Sequence, residues 1–324
     1  MRSDRDLIEA TKPYSAESRL RSWWYLLSSL AALAAGTWAA AQPLFWPLRL
    51  ALSVLDGLLI VRVFILYHDY LHGALLRGSA PARWILYAYG VLVMIPPRVW
   101  RETHNYHHNH TAKLVGSNIG SFATMTIEQW RQATGPQRIR YRVVRHPLTV
   151  LFGYFTIFMM EMCLLSFLRS PRKRWDSLVA LLVNWVLTAF LIGRFGLATW
   201  AYVHFLPLFV SYAVGGYLFY VQHNFGELHI QPREDWCYVR AALQSSSYME
   251  TGPVLAWFTG NIGYHHVHHL NPTIPFYRLP EVMRDIPELQ NPGRTSLWPR
   301  EIARCFQLKL WDPVQGRMVG YPEA

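Results

Sequence analysis

Four long apolar blocks set the terms on which this chain can fold: residues 23–41, 47–67, 175–193 and 197–221. Each is long enough to cross a hydrocarbon core of about 30 Å as a helix. A helix satisfies every backbone polar group internally, as lipid requires. In the second block only Asp56 and Arg62 interrupt the apolar run. With 52% hydrophobic, 15% aromatic and only 16% charged residues, an ordinary soluble enzyme is a poor description. The first block follows a polar leader, 1–22, and ends without a small-residue cleavage pattern, so it reads as a retained anchor. The three cysteines form no CxxC pair and no disulfide framework, and read as inert thiols in a reducing compartment. Neither an internal repeat nor a low-complexity tract is present.

Charge orients the blocks. The net charge is +11, and two basic runs stand out: Arg131, Arg138, Arg140, Arg142 and Arg145, then Arg169, Arg172, Lys173 and Arg174. Basic loops favour the cytoplasmic side. A cytoplasmic N-terminus then leaves through the first block, turns in the nearly uncharged 42–46, and returns through the second, so that residues from His68 onward are cytoplasmic. The blocks at 175–193 and 197–221 make a second hairpin, turning outside at 194–199. The expected fold is an all-α integral membrane protein, multi-pass, with two helical hairpins (four spans) in a single domain, 1–324. Interfacial helices and a cytoplasmic helical cap including 222–324 complete it. Segment 84–97 is short and reads as interfacial. Segment 147–168 is long enough to span, but a crossing there would invert everything after it, so it reads as re-entrant or interfacial. It contains Glu161, a possible functional carboxyl that a re-entrant turn would leave hydrated. The basic runs suit anionic headgroups or an acidic protein, and no nucleic-acid partner is expected.

Eight of the fourteen histidines fall into three clusters, each beside an apolar hairpin on its cytoplasmic side. His68 and His72 continue the second block at i, i+4, which puts both imidazoles on one helical face. His104, His107 and His108 lie at i, i+3 and i+4, and His265, His268 and His269 repeat that spacing. His266 falls about 100° round from His265, and His110 also leaves its face, so both read as supporting or surface residues. One HxxxH arises easily by accident; three clusters on one side do not. Eight imidazoles are too many for one zinc or one haem, and Asp69 stands where a metalloprotease helix carries Glu. Imidazole suits iron, copper, zinc and nickel alike, so the ligands point to two neighbouring metal ions without naming the element.

These clusters read HxxxH, HxxHH and HxxHH, and in order and spacing they resemble the three histidine boxes of the membrane fatty acid desaturases. The resemblance extends to 61–73 around the first box. It is closest over 246–281, containing WFTGNIGYHHVHHLNPTIPFYRLPE, which is similar to the Δ12 or omega-6 acyl-lipid desaturases. It covers about residues 20–285. It implies two iron ions, and it adds a ninth ligand, His223 in Tyr-Val-Gln-His-Asn-Phe-Gly. The implied ligand set is His68, His72, His104, His107, His108, His223, His265, His268 and His269. Acyl-CoA relatives carry Asn four residues before the ninth histidine; Phe219 stands there here, which favours a lipid-linked substrate.

The implied reaction is a dioxygen-dependent desaturation of an acyl lipid, fed by two external electrons. No His-Pro-Gly-Gly haem motif occurs, so the donor is expected to be a separate protein, a ferredoxin or a cytochrome b5, meeting the basic surface. Asp69 and Asn105 are candidates to orient imidazoles. Tyr67, Tyr70, Tyr106 and Tyr264 are candidates to line an acyl tunnel, or to pack. The same scaffold could hydroxylate, ketolate or epoxidise a lipid, carotenoid or sterol. A metal transporter or bis-histidine haem protein is the alternative outside this chemistry.

Overall fold

The computed structural model describes residues 2–114 and 119–322. Among these, three helices are long and apolar enough to cross a membrane: Arg19–Ala41, Trp46–His72 and Trp175–Val221. The first two, α1 (Arg19–Ala41) and α2 (Trp46–His72), run antiparallel. Thr37 donates to the Asp56 carboxylate at 3.1 Å and Arg62 Nε to Ser29 Oγ at 3.0 Å. Pro47 sits in the first turn of α2, where its missing N–H costs nothing. Gly73 ends it in the left-handed conformation (φ 72°), its N–H bonded to Tyr70 O at 3.0 Å. The helix therefore continues unbroken through His68 and His72 and stops one residue later.

Two shorter helices follow, α3 (Ala80–Leu92) and α4 (Pro97–His110). Their link is tied to the apolar helices by tyrosine hydroxyls: Tyr67 donates to Ile95 O at 2.8 Å, and Tyr212 to Val93 O. Trp175–Val221 is not straight. Gly196 breaks it (φ 83°, ψ 164°) near the end of α5 (Trp175–Trp200), and a wide turn leads on to α6 (Leu206–Val221). Asn184 Nδ2 lies 3.1 Å from His204 Nε2, and Trp200 Nε1 donates to Thr188 Oγ1 at 3.2 Å, so the chain doubles back at this glycine. The start of α5 also supports α4, because Asp176 accepts from the Arg98 N–H at 2.9 Å. A carboxylate at a helix N-terminus satisfies an otherwise free donor and complements the dipole.

The stretch 147–169 is one helical run, from Pro147–Leu151 through a π-helical Tyr154–Leu165 to Ser166–Arg169. It lies across α6, with Phe158 stacked on Tyr212 at 4.0 Å. Glu161 is exposed and ion-paired with Arg169, which gives it a surface role.

Two expectations need correction. The cap is not purely helical: β1 (Met125–Thr126), which precedes α5, pairs with β4 (Leu310–Asp312), which pairs with β5 (Arg317–Val319), while β2 (Tyr248–Glu250) lies parallel to β3 (Arg294–Ser296). Strands of two or three residues carry too little alternation to be seen in sequence. Arg145, assigned to a lipid-facing basic run, is fully buried. Its guanidinium donates to Asn224 Oδ1 at 2.5 Å and to Ala123 O at 3.0 Å and packs over the Tyr220 ring. Arg131, Arg140 and Arg142 stay exposed. Arg145 turns inward and uses its fork of donors to join the loop at 122–124 to Asn224, just past the end of α6.

The contact that aligns the histidine-bearing ends is that of α2 with α6. A Cβ on Gly57 would stand 2.7 Å from Val210 Cβ and 2.9 Å from Pro207 O, whereas one on Gly215 meets nothing within 4 Å. Close helix approach in lipid relies on such small residues. Gly57→Ala is therefore expected to force the helices apart at a cost of about 1–3 kcal/mol. Melting in detergent checks this, with Gly215→Ala expected to melt like the wild type.

Candidate metal centre

The centre is built by four elements that end at one level. α2 brings His68 and His72 on its last turn, α4 brings His104, His107 and His108, and His223 follows α6 by two residues. A six-residue helix, α8 once α7 (Pro253–Phe258) is counted, spans His265–Leu270 and brings His265, His268 and His269. Their ring nitrogens converge on two points. His68, His72, His104, His108 and His268 form one group and His107, His223, His265 and His269 the other, with the nitrogens of each group within 4.8 Å of one another. The two HxxHH helices contribute reciprocally: α4 gives its i, i+4 pair to the first group and its i+3 imidazole to the second, and α8 does the reverse. The groups touch where His108 stacks on His269 at 4.2 Å.

Hydrogen bonds fix how these rings present themselves. His68 Nδ1 lies 3.1 Å from Asp69 Oδ1, and the other oxygen of Asp69 accepts from the Phe276 N–H at 2.7 Å. His223 Nδ1 lies 2.9 Å from Ser245 O, and His269 Nδ1 3.4 Å from Thr111 Oγ1. An imidazole that donates through Nδ1 to an oxygen turns the lone pair of Nε2 the other way, here into the cluster. Inside it, Nε2 atoms face each other at 2.9 Å (His68 and His104), 3.1 Å (His104 and His108; His108 and His268), 3.0 Å (His107 and His223) and 2.9 Å (His223 and His265). His72 Nε2 is buried with no partner.

Neutral rings leave many of the facing nitrogens without a donor, and burial disfavours charged ones. Burial, reinforced by neighbouring imidazoles, holds His104, His107, His108, His265, His268 and His269 well below the usual histidine range, and burial lowers His223 to about 4. Convergent lone pairs, enclosed and unprotonated, are what a divalent cation requires, so the residues present fit two metal ions. Imidazoles arriving from several helices around each point also differ from the paired axial ligands of a haem.

Other candidates resolve differently. Asp69 sits where an orienting carboxylate should. Asn105 does not reach the cluster: it is exposed on the outer side of α4, beside Arg98 and Arg101, because it lies one residue and about 100° round from His104. His266 is buried rather than at the surface, its Nε2 3.0 Å from Leu289 O, and His110 stacks on Tyr106 at 3.9 Å. Tyr67 and Tyr70 pack in the interior and against Tyr87, and Tyr264 against Tyr248. The sequence reading missed Trp100, whose indole stacks on His104 at 4.7 Å; its i, i+4 spacing from that histidine was the available signal. The carbonyl of Ser245 and the hydroxyl of Thr111 carried none.

The family model for fatty acid desaturases matches residues 44–300, a stretch that contains all nine of these histidines. The chain belongs to the fatty acid desaturase family. It is thus an oxidoreductase, a membrane fatty acid desaturase that resembles the Δ12 type. A fatty acid desaturase of Bacillus subtilis is 28% identical over 85% of this chain and 78% of its own length. An sn-1 oleoyl-lipid 12-desaturase of Synechocystis is 24% identical over 96% and 90%. An sn-1 acyl-lipid omega-3 desaturase (ferredoxin) of Nostoc is 23% identical over 85% and 71%.

Two outcomes follow for the desaturase. Asp69→Ala frees the His68 ring and is expected to weaken metal binding by about 10–100-fold, read by metal analysis after competition with a chelator. The His223 value, about 4 when folded against 6.5 unperturbed, means the unfolded chain binds more protons between those values. The stability this group contributes is therefore full above pH 6.5 and lost as pH falls toward 4, so the melting temperature of the metal-free protein should drop across that window.

Proposed function

We propose that this desaturase introduces a cis double bond into the acyl chain of a membrane lipid, with regiochemistry of the Δ12 or omega-6 type, at a centre of two iron ions. The two convergent imidazole groups carry this reading. His68, His72, His104, His108 and His268 would hold one ion and His107, His223, His265 and His269 the other. When bound, such a pair supplies dioxygen reduction by two external electrons and an oxidant able to take hydrogen from an unactivated methylene, with water and an alkene as products.

The chain's own residues do the rest. Asp69, Ser245 and Thr111 hold three rings in the tautomer and orientation that ligation needs, and the buried packing around the cluster excludes bulk water. Phe219 packs on His107 at 5.1 Å and lies 6.4 Å from His104, so an apolar ring occupies the position at which acyl-CoA relatives carry Asn. That supports a lipid-linked chain, and the oleoyl-lipid 12-desaturation named for the Synechocystis relative supports the Δ12 position.

In this reading α1 and α2, and the two arms that meet at Gly196, form four spans, and the histidines lie on the cytoplasmic face, as the basic residues between them favour. Electrons come from a separate protein, a ferredoxin or a cytochrome b5; the ferredoxin named for the Nostoc relative supports the former.

Expression in a host with a suitable reductase and ferredoxin, followed by gas chromatography and mass spectrometry of total fatty acids, tests the proposal. A new dienoic acid with its second double bond at Δ12 is expected, absent with His107→Ala or His268→Ala. A hydroxylated or ketone product would move the chain to another reaction on the same centre, and active purified protein free of iron would overturn the metal assignment.

A further inference from the structure

Residues 2–18 precede α1 and contain no histidine, yet they are bonded to the chain on both sides of the first imidazole group. That group draws His68 and His72 from α2 and His268 from α8, two elements far apart in sequence. We propose that residues 2–18 form a clasp that sets the end of α2 against the end of α8. Thr11, Ser15 and Glu17 are then positioning residues for His72 and His268, although they touch neither ring. The inference rests on the reading of two metal ions above and deepens it by naming what holds the first of them.

One end of the clasp is at α8. Asn271 directly follows that helix, its N–H bonded to Val267 O at 3.0 Å. Its side chain is engaged on both sides: Nδ2 donates to Thr11 Oγ1 at 2.9 Å and to Ser15 Oγ at 3.2 Å, while Oδ1 accepts from the Thr273 N–H at 3.1 Å. Thr11 is fully buried and donates its own hydroxyl to Ile8 O at 2.7 Å, so its oxygen faces Asn271 as an acceptor. The helix that carries Thr11, Asp4–Thr11, buries Leu7 in the main core and accepts at Asp4 from Cys237 Sγ at 2.9 Å. The next residue, Tyr238, donates to His269 O at 2.6 Å, so α8 is gripped from a second direction.

The other end is at α2. Glu17 accepts from the Leu76 N–H at 2.7 Å, four residues after His72, and from Ser22 Oγ at 3.0 Å. Arg19 pairs with Glu17 at 2.6 Å and donates to Arg77 O at 2.9 Å. Leu76 is held at φ 49°, a left-handed conformation that leucine rarely adopts, so the turn after α2 needs a partner to keep it there. The Glu17 carboxylate is that partner. Between the two ends the Ser18 N–H donates to the Tyr277 hydroxyl at 2.8 Å, and Arg278 Nη1 to Pro13 O at 3.1 Å. Ligands are held to the accuracy a metal requires only when the elements behind them are fixed, and here one short segment fixes two. The second group has a separate tie, Gln222 donating to Ile262 O at 2.8 Å.

The test titrates the chelator-stripped full chain in detergent with cobalt(II), followed by visible absorption, and measures hydrogen exchange of the metal-free chain by mass spectrometry. The wild type is expected to take up two ions in two steps, with His72→Ala marking the step that belongs to the first group. Glu17→Ala, and separately Thr11→Val with Ser15→Ala, should each weaken that same step tenfold or more and the other less than threefold. Thr11→Ser and Glu17→Gln keep an acceptor oxygen and should bind like the wild type. Without metal, both disruptive variants should speed exchange in 68–77 and in 265–271 and leave 104–110 unchanged. Unchanged cobalt affinity, equal weakening of both steps, or faster exchange only at the end that carries the substitution would each overturn the proposal. A wild type that takes up fewer than two ions while the exchange pattern holds would keep the clasp and remove the two-metal reading instead.

Discussion

Nine imidazoles packed nitrogen to nitrogen are the constraint on which the rest of this structure depends. A buried polar atom without a partner costs about 1–3 kcal/mol, and here many face one another with lone pairs inward. Only a positive ion between them turns that cost into binding. Until it arrives, the surrounding protein must hold the rings in place, and each carrier is fixed by something other than a histidine. Gly73 stops α2, Asp176 anchors the start of α4, and Gln222, beside His223, donates to Ile262 O at 2.8 Å just ahead of α8.

The bilayer explains where the site lies. An apolar helix cannot carry ligating groups in its middle without desolvating them, but its end can. α2 therefore offers His68 and His72 on its final turn, and His223 follows α6 at once. The exception within a span is instructive. Arg62 is buried, yet it is bonded to Ser29 and Trp257 and stacked on an indole, so its charge is spent on pinning α7 to α2. The same residue thereby ties the cap to the apolar helices, which a purely apolar contact in lipid would do weakly.

How much of this was legible depends on range. The spacings within His68–His72, His104–His108 and His265–His269 are local, and helical geometry turns each into one face, so the clusters were readable from sequence alone. Which ring joins which group was not, because that depends on how α4 and α8 oppose each other across 157 or more residues of chain. His223 stands alone and became visible only through likeness to a family. Asn105 lies away from the cluster because adjacency in sequence is about 100° of rotation on a helix, whereas the carboxylate of Asp69, equally adjacent to its histidine, reaches Nδ1. Arg145 was misread because charge runs average over residues, and burial of one member is decided by tertiary contacts with Asn224 and Tyr220. The turn at Gly196 was marked by composition; the short strands of the cap had no pattern to mark them.

The reciprocal arrangement of α4 and α8 gives a reason for two sites rather than one. An HxxHH helix presents its i and i+4 rings about 40° apart around the axis and its i+3 ring about 60° from the first and 100° from the second, so it aims the third elsewhere than the pair. Two such helices, facing, resolve the conflict by exchanging their displaced rings: His107 crosses to the group of His265 and His269, and His268 to the group of His104 and His108. The paired geometry needs one further element for each group, and the two apolar hairpins supply them, His68 with His72 from the first and His223 from the second. The stack of His108 on His269 is where the exchange closes, so neither group can be displaced without moving the other. The two imidazole groups are in this sense one structural unit, and the spacing of a five-residue motif, used twice, is enough to produce it.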